Sequence, residues 1–262
     1  MTSSIKSIIN ENVLDKTVLV RADLNIPISN GNISDQSRVE RVIPTINFLK
    51  SSGAKIVICS HLGRPNGKYN KNYTLKPLVE ILSNILETNV RFSNSCLGQE
   101  ALEIKTSLKA GEILLLENVR FHEEEINNSL SFAKKLSEGC DLFVNDAFSC
   151  SHRAHSSLHA ITNFLPSYSG KLMDEEIKAL TSVLSSPIKP VAALVGGAKI
   201  STKINIIEYL ITKMDYLIIG GAMANTFLVA EGLDVGKSLF EKDSVNIAKS
   251  ILKKSKKINC KI

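Results

Sequence analysis

An α/β architecture, with parallel sheets wrapped by helices in two domains of which the second is incomplete, is predicted by three observations. Apolar runs rich in β-branched residues recur along the chain, and six of them end in polar residues or glycine. Segments with a 3.6-residue apolar period lie between these runs, and strand alternating with helix implies a parallel sheet. The second series of strands and helices, after residue 190, holds only two clear strands, too few for a sheet core.

The first run, Val18-Leu-Val-Arg21-Ala-Asp23-Leu-Asn25-Ile-Pro27, reads as a buried strand that delivers Asp23 and Asn25 to one side of its carboxyl end, with Pro27 closing it to further pairing. Arg21 has the parity of Asp23 and reads as structural. A helix capped by Asp35 follows, with Val39, Val42, Ile43, Ile46 and Leu49 on one face, Pro44 expected to kink it and Gly53 to stop it. Lys55-Ile-Val-Ile-Cys-Ser60 runs into His61-Leu-Gly-Arg64-Pro65. Thr74 is expected to cap the next helix, with Pro77 in its first turn and Leu78, Ile81, Leu82 and Ile85 on one face. Weaker helical patterns cover Gln99 to Leu108 and Leu130 to Leu136. Between them Glu112-Ile-Leu-Leu-Leu-Glu117 runs into Asn118-Val-Arg120, and Glu123-Glu-Glu125 reads as a solvated acidic face. Asp141-Leu-Phe-Val144 then leads into Asn145-Asp146.

Composition shifts at the turn-rich Leu165-Pro-Ser-Tyr-Ser-Gly170, before a charged helix beginning near Met173. The expected division is a first domain over 1–170, a hinge helix and linker over 171–190, and a partial second domain over 191–262. In the latter, Val191 to Val195 ends in Gly196-Gly-Ala-Lys199, a helix is expected from Ser201 to Ile211, and Tyr216 to Ile219 ends in Gly220-Gly221.

Composition narrows the function. Of 262 residues 44% are hydrophobic and 22% charged, as in a globular protein, and no run suits a signal peptide or membrane span, so a cytoplasmic location is expected. Five cysteines without Cys-x-x-Cys spacing argue against a disulfide framework or a zinc site. The net charge of +6 invites a nucleic-acid hypothesis, including the tail Lys253-Lys-Ser-Lys-Lys257. Dispersed lysines and only 5% aromatics leave it poorly supplied for base stacking, and no nucleic-acid partner is expected.

Arginine is more telling. All seven lie between Arg21 and Arg153, and Arg21, Arg38, Arg64, Arg120 and Arg153 fall in or beside strand ends. Ligands of open parallel sheets bind outside the carboxyl ends of the strands, which places Asp23, Asn25, His61, Arg64 and Arg120 around one crevice, with Arg38 and Arg153 beside it. Singly, each has a plain reading as turn former, surface ion pair or solvated side chain. Their repetition at equivalent strand ends favours a small ligand carrying phosphate, carboxylate and hydroxyl groups. In the second domain the glycine turn and the cations Lys199 and Lys203 suit phosphate, although no standard nucleotide motif is present.

Val18-Leu-Val-Arg-Ala-Asp23-Leu-Asn25-Ile-Pro27, Ser60-His61-Leu-Gly-Arg64-Pro65, Glu117-Asn-Val-Arg120-Phe, Asn145-Asp-Ala-Phe148, His152-Arg153-x-His155, Gly196-Gly-Ala-Lys199-x-Ser-x-Lys203 and Gly220-Gly-Ala-Met-Ala-Asn-Thr-Phe227 together resemble the phosphoglycerate kinase family, in its order and spacing. Ile26 stands where the family usually has a smaller residue and Ser149 where it usually has Gly. The resemblance implies two Rossmann-like three-layer domains and hinge closure. It also implies glycolytic phosphoryl transfer between ATP and 3-phosphoglycerate, with Mg²⁺ accompanying ATP or ADP, in a monomer without a membrane partner. It assigns Asp23 and Asn25 to the substrate's hydroxyl and carboxylate end, and His61, Arg64, Arg120 and Arg153 to its phosphate end. Arg38 and Lys199 take catalytic roles near the transferring group, and Lys203, Gly220 and Gly221 bind the nucleotide. The family pattern continues past Ile262 through the acidic residue on the ribose and the Asp that holds Mg²⁺, so no metal ligand is expected within this sequence. The alternative from another class is a non-catalytic protein that binds 3-phosphoglycerate.

Overall fold

Strand β1, Thr17–Ala22, carries bulky apolar side chains on both of its faces, and the sheet built around it buries both. The structure, a computed structural model, describes residues 5–26, 28–29, 32–33, 36–185 and 187–262, so Pro27 and the expected cap Asp35 lie outside the described residues. Two compact units are present, one up to Lys178 and one from Ala179 onward.

In the first unit β1 is followed by a short antiparallel hairpin, β2 (Ile28–Ser29) with β3 (Asn32–Ile33), then α1 (Ser37–Ser51), β4 (Lys55–Cys59), α2 (Leu78–Leu86), β5 (Val90–Ser93) and α3 (Gln99–Ser107). After these come β6 (Ile113–Leu116), α4 (Glu123–Ile126), α5 (Leu130–Ser137), β7 (Leu142–Asp146), β8 (Ser167–Ser169) and α6 (Lys171–Ser185), within which the division between units falls. The strands pair in parallel in the order β5-β6-β4-β1-β7-β8.

Alternation splits each strand between two cores. Val18, Val20, Ile56, Ile58, Ile113, Leu115 and Val144 face the layer of α1 and α2. Leu19, Val57, Leu114, Leu116 and Phe143 face the layer of α3 and α5. Arg21 shares the parity of Leu19 and is fully buried, the charge on that face that must find partners inside the protein.

As expected, α1 stops before Gly53, whose φ of +73° suits glycine, and Pro44 lies inside the helix. Two local expectations in this unit are corrected. Thr74 does not cap α2: Pro77 holds that position, and Thr74 donates to Glu117 Oε2 at 2.5 Å instead. The acidic face fails at its third residue, because Glu125 is fully buried while Glu123 and Glu124 are exposed.

The second unit holds β9 (Ala192–Gly196) and β10 (Tyr216–Gly220), paired in parallel, with α7 (Ile204–Leu210), α8 (Ala222–Ala230) and α9 (Val245–Lys257). Its core joins Ile200, Ile207, Leu217, Met223, Phe227, Ala248 and Ile251. The helix expected from Ser201 begins only at Ile204, because residues 200–203 form a turn closed by Lys203 N donating to Ile200 O at 2.8 Å. Among the described residues, no helix is long and apolar enough to cross a membrane.

Candidate functional site

At the carboxyl ends of β1, β4 and β7 and in the loop after β6, a cavity of about 260 Å³ is lined by Asp23, Asn25, Arg38, His61, Gly63, Arg64, Arg120, Ser149, Cys150 and Arg153. All seven residues read from the sequence as a substrate crevice are therefore brought together. Four arginines face one carboxylate, an excess of positive charge that selects an anion.

Asp23, Asn25 and Arg120 are held by the fold beneath them. Ser60, at the end of β4, accepts from Leu24 N at 3.0 Å and donates to Ala22 O at 2.8 Å, fixing the chain as it leaves β1. Asp23 then accepts from Asn25 N at 3.1 Å, from Arg38 Nη1 at 2.8 Å and from the hydroxyl of Ser149. Asn25 Oδ1 accepts from Gly63 N at 2.8 Å, and Gly63 O accepts from Arg120 Nη1 at 2.9 Å. Beneath Arg120, Asn118 accepts from the Arg120 N–H at 3.0 Å and donates to Leu62 O and Tyr73 O at 2.8 and 2.9 Å. Arg120 Nε is buried and makes no hydrogen bond, leaving a donor unspent at the edge of the cavity.

Electrostatics follow from this crowding. Burial pushes the His61 imidazole down from 6.5 to about 2, and the neighbouring Arg21, Arg120, His155 and Arg153 add to the effect. His61 is thus neutral at physiological pH. Burial also lowers the Arg120 guanidinium, with Arg21 and Arg153 beside it. Asp23, His61 and Cys150 bring one ligand atom each within 4.8 Å of one another. That set does not fit Mg²⁺, which prefers oxygen ligands and would sit among arginines.

Ser149 and Cys150 were not read from the sequence as lining residues. The turn at Phe148–Cys150, after β7, carries them to the cavity, a placement no local pattern encodes.

In the second unit, β9 and β10 end side by side at Gly196 and Gly220. Gly221 has φ +70°, and a Cβ on it would lie 2.8 Å from Gly197 O, so only glycine fits. Lys203 Cε lies 3.2 Å from where a Cβ of Gly197 would be, placing that lysine over the glycine turn. Lys199 is exposed in the same turn. The predicted nucleotide residues therefore group at the carboxyl end of this sheet.

The model of the phosphoglycerate kinase family matches residues 8–262. A phosphoglycerate kinase from Borrelia garinii subsp. bavariensis is 47% identical over 247 residues, covering 94% of this chain and 63% of the relative. That of Rhodopseudomonas palustris is 46% identical over 262 residues, covering 100% of this chain and 66% of the relative. The solved phosphoglycerate kinase of Coxiella burnetii superposes with a TM-score of 0.87 at 39% identity, covering 98% of this chain and 65% of that one. The enzyme from Pyrococcus horikoshii OT3 gives 0.80 at 34% identity, covering 95% and 65%. The chain therefore spans somewhat less than two thirds of the length of these relatives, and with a family match from residue 8 to its last residue it belongs to the phosphoglycerate kinase family.

Proposed function

We propose that the protein carries out reversible phosphoryl transfer between ATP and the carboxylate of 3-phosphoglycerate, giving ADP and 1,3-bisphosphoglycerate, as a cytoplasmic monomer of glycolysis. The observation that carries this reading is the convergence of Arg38, Arg64, Arg120, Arg153 and a neutral His61 on one small cavity beside Asp23 and Asn25. A phosphate at one end of the substrate suits His61, Arg64, Arg120 and Arg153. Asp23 and Asn25 suit the hydroxyl and carboxylate at the other end.

The chemistry needs little more from the protein than alignment and charge. Carboxyl groups titrate near about 4, so the attacking oxygen is already ionised and no general base is required. That oxygen forms a bond to the γ-phosphorus as the bond to the β-bridging oxygen breaks, and ADP leaves with the electron pair. Arg38, exposed and ion-paired with Asp23, is assigned to the equatorial oxygens of the transferring group, and Lys199 assists there. Lys203, Gly220 and Gly221 take the nucleotide phosphates, the lysine by charge and the glycines by close backbone approach. Mg²⁺ accompanies the nucleotide in this reading, and the Asp23, His61 and Cys150 cluster, with one oxygen ligand, does not suit it.

The test is coupled transfer from Mg-ATP to 3-phosphoglycerate by the protein carrying this sequence. Arg38→Ala is expected to lower transfer by about 100-fold while changing 3-phosphoglycerate affinity less than about threefold. Equal losses would remove Arg38 from catalysis, and absence of any affinity for 3-phosphoglycerate would overturn the reading. Binding without transfer would instead mark a non-catalytic 3-phosphoglycerate-binding protein.

A further inference from the structure

Behind the anion cavity lies a chain of buried polar groups that reaches the cavity wall at His61. Arg21, Glu125 and Ser157 are each fully buried, and His61 is nearly so. Arg21 Nε donates to Ser157 Oγ at 2.9 Å, Nη1 to Ala22 O at 2.5 Å, and Nη2 lies 3.0 Å from His61 Nδ1. Ser157 in turn donates its hydroxyl to Glu125 Oε1 at 2.6 Å and its backbone N–H to Glu125 Oε2 at 2.8 Å.

Donor and acceptor roles in this chain have one solution. A guanidinium carries only donors. The oxygen of Ser157 must therefore accept from Arg21, which sends the single Ser157 hydroxyl proton to the Glu125 carboxylate. His61 Nδ1, facing Arg21 Nη2, must likewise present a lone pair, because a proton there would oppose donor to donor. A neutral imidazole then carries its proton on Nε2, and a doubly protonated ring is excluded. The positive groups around the ring act in the same sense, Arg21, Arg120, His155 and Arg153 disfavouring added positive charge, against the Asp23 carboxylate nearby; the Cys150 thiol lies 4.0 Å from Nδ1.

We propose that Glu125 and Ser157 are positioning residues for the anion site, holding His61 through Arg21 as the neutral Nε2–H tautomer that donates to the substrate's phosphate. The identity of that anion rests on the function proposed above. The relay explains why an arginine lies inside β1: its charge is balanced by Glu125 through Ser157 instead of by a direct ion pair. It delivers to the cavity a donor that does not compete for a proton.

The test is a two-bond ¹H–¹⁵N correlation spectrum of the whole chain with ¹⁵N-labelled histidine, assigned with His61→Gln. The expected result at neutral pH is an unprotonated Nδ1 and a protonated Nε2 for His61. Ser157→Ala and, separately, Glu125→Gln should introduce the Nδ1–H form and weaken 3-phosphoglycerate binding by roughly tenfold. A wild-type spectrum with Nδ1 protonated overturns the proposal even if neither variant folds. So does a folded Ser157→Ala with unchanged spectrum and affinity. A wild-type chain with the expected tautomer and no affinity for 3-phosphoglycerate overturns the functional reading alone, and the effect of Ser157→Ala is then read on inorganic phosphate.

Discussion

The two parallel sheets among the described residues use the same strand chemistry and end in different degrees of burial. Every residue of β1 is buried, because strands flank it on both sides and helices cover both faces. In the two-stranded sheet the apolar side chains alternate with exposure: Leu194 of β9 is 74% exposed and Ile218 of β10 is 55% exposed. A parallel strand becomes a core strand only when its neighbours and both helix layers are present. The sites differ accordingly. Side chains tied by hydrogen bonds to the strand ends line the anion cavity, whereas the glycine turn is formed by close backbone approach at Gly197 and Gly221 with two lysines beside it.

A paired substitution separates the two sheets by the largest margin. Leu19→Ala should cost about 3 kcal/mol in urea unfolding, while Leu194→Ala should cost less than about 0.5 kcal/mol. Similar costs would show that burial in the two sheets is not different in kind.

Carboxylates give a second contrast. Burial pushes Asp146 up from 3.8 to about 6, against hydrogen bonds from Thr45 and the backbone of Met173 and Leu172. Asp215, partly exposed in the second unit, is lowered by the Val191 N–H and by Lys189. Because the folded protein holds the Asp146 proton more tightly than the unfolded chain, its contribution is fully present below 3.8 and is lost as pH rises through about 6. The stability of wild type minus that of Asp146→Asn should therefore fall by about 3 kcal/mol across that window and then level off. A rise with pH in the same difference would reverse the assignment.

Backbone packing in the second unit predicts the next effect. Gly221→Ala should cost about 2 kcal/mol, since φ is +70° and its Cβ would meet Gly197 O at 2.8 Å. No change in thermal unfolding of the second unit would remove that constraint. Smallest is Ser149→Gly, which deletes one hydroxyl from Asp23 but leaves Arg38 in place. A loss of about threefold in 3-phosphoglycerate affinity is expected by calorimetry.

Much of the sheet was legible because its strands are buried on both faces and read as unbroken apolar runs. The exceptions lie at its edges. Val90–Ser93 offers only alternate apolar residues, Val90 and Phe92, and Ser167–Ser169 is rich in serine, so neither announces itself against the turns around it. The seven cavity residues were readable because strand ends in a parallel sheet share one rim. Glu125 was not, since three successive glutamates look alike in sequence and only the fold puts the third beneath Arg21 by way of Ser157. One signal was available: an arginine at the parity of Leu19 inside an apolar strand needs a buried partner somewhere in the chain. The start of α7 was misplaced because Ser201 and Thr202 resemble helix caps while the chain there is still turning.

All residues of the anion cavity belong to the first unit, and titration calorimetry of 3-phosphoglycerate into this chain measures whether they suffice for binding. One site per chain is expected, weakened more than about tenfold by Arg120→Ala and unchanged by Lys203→Ala. No binding, or equal losses from the two substitutions, would contradict their sufficiency.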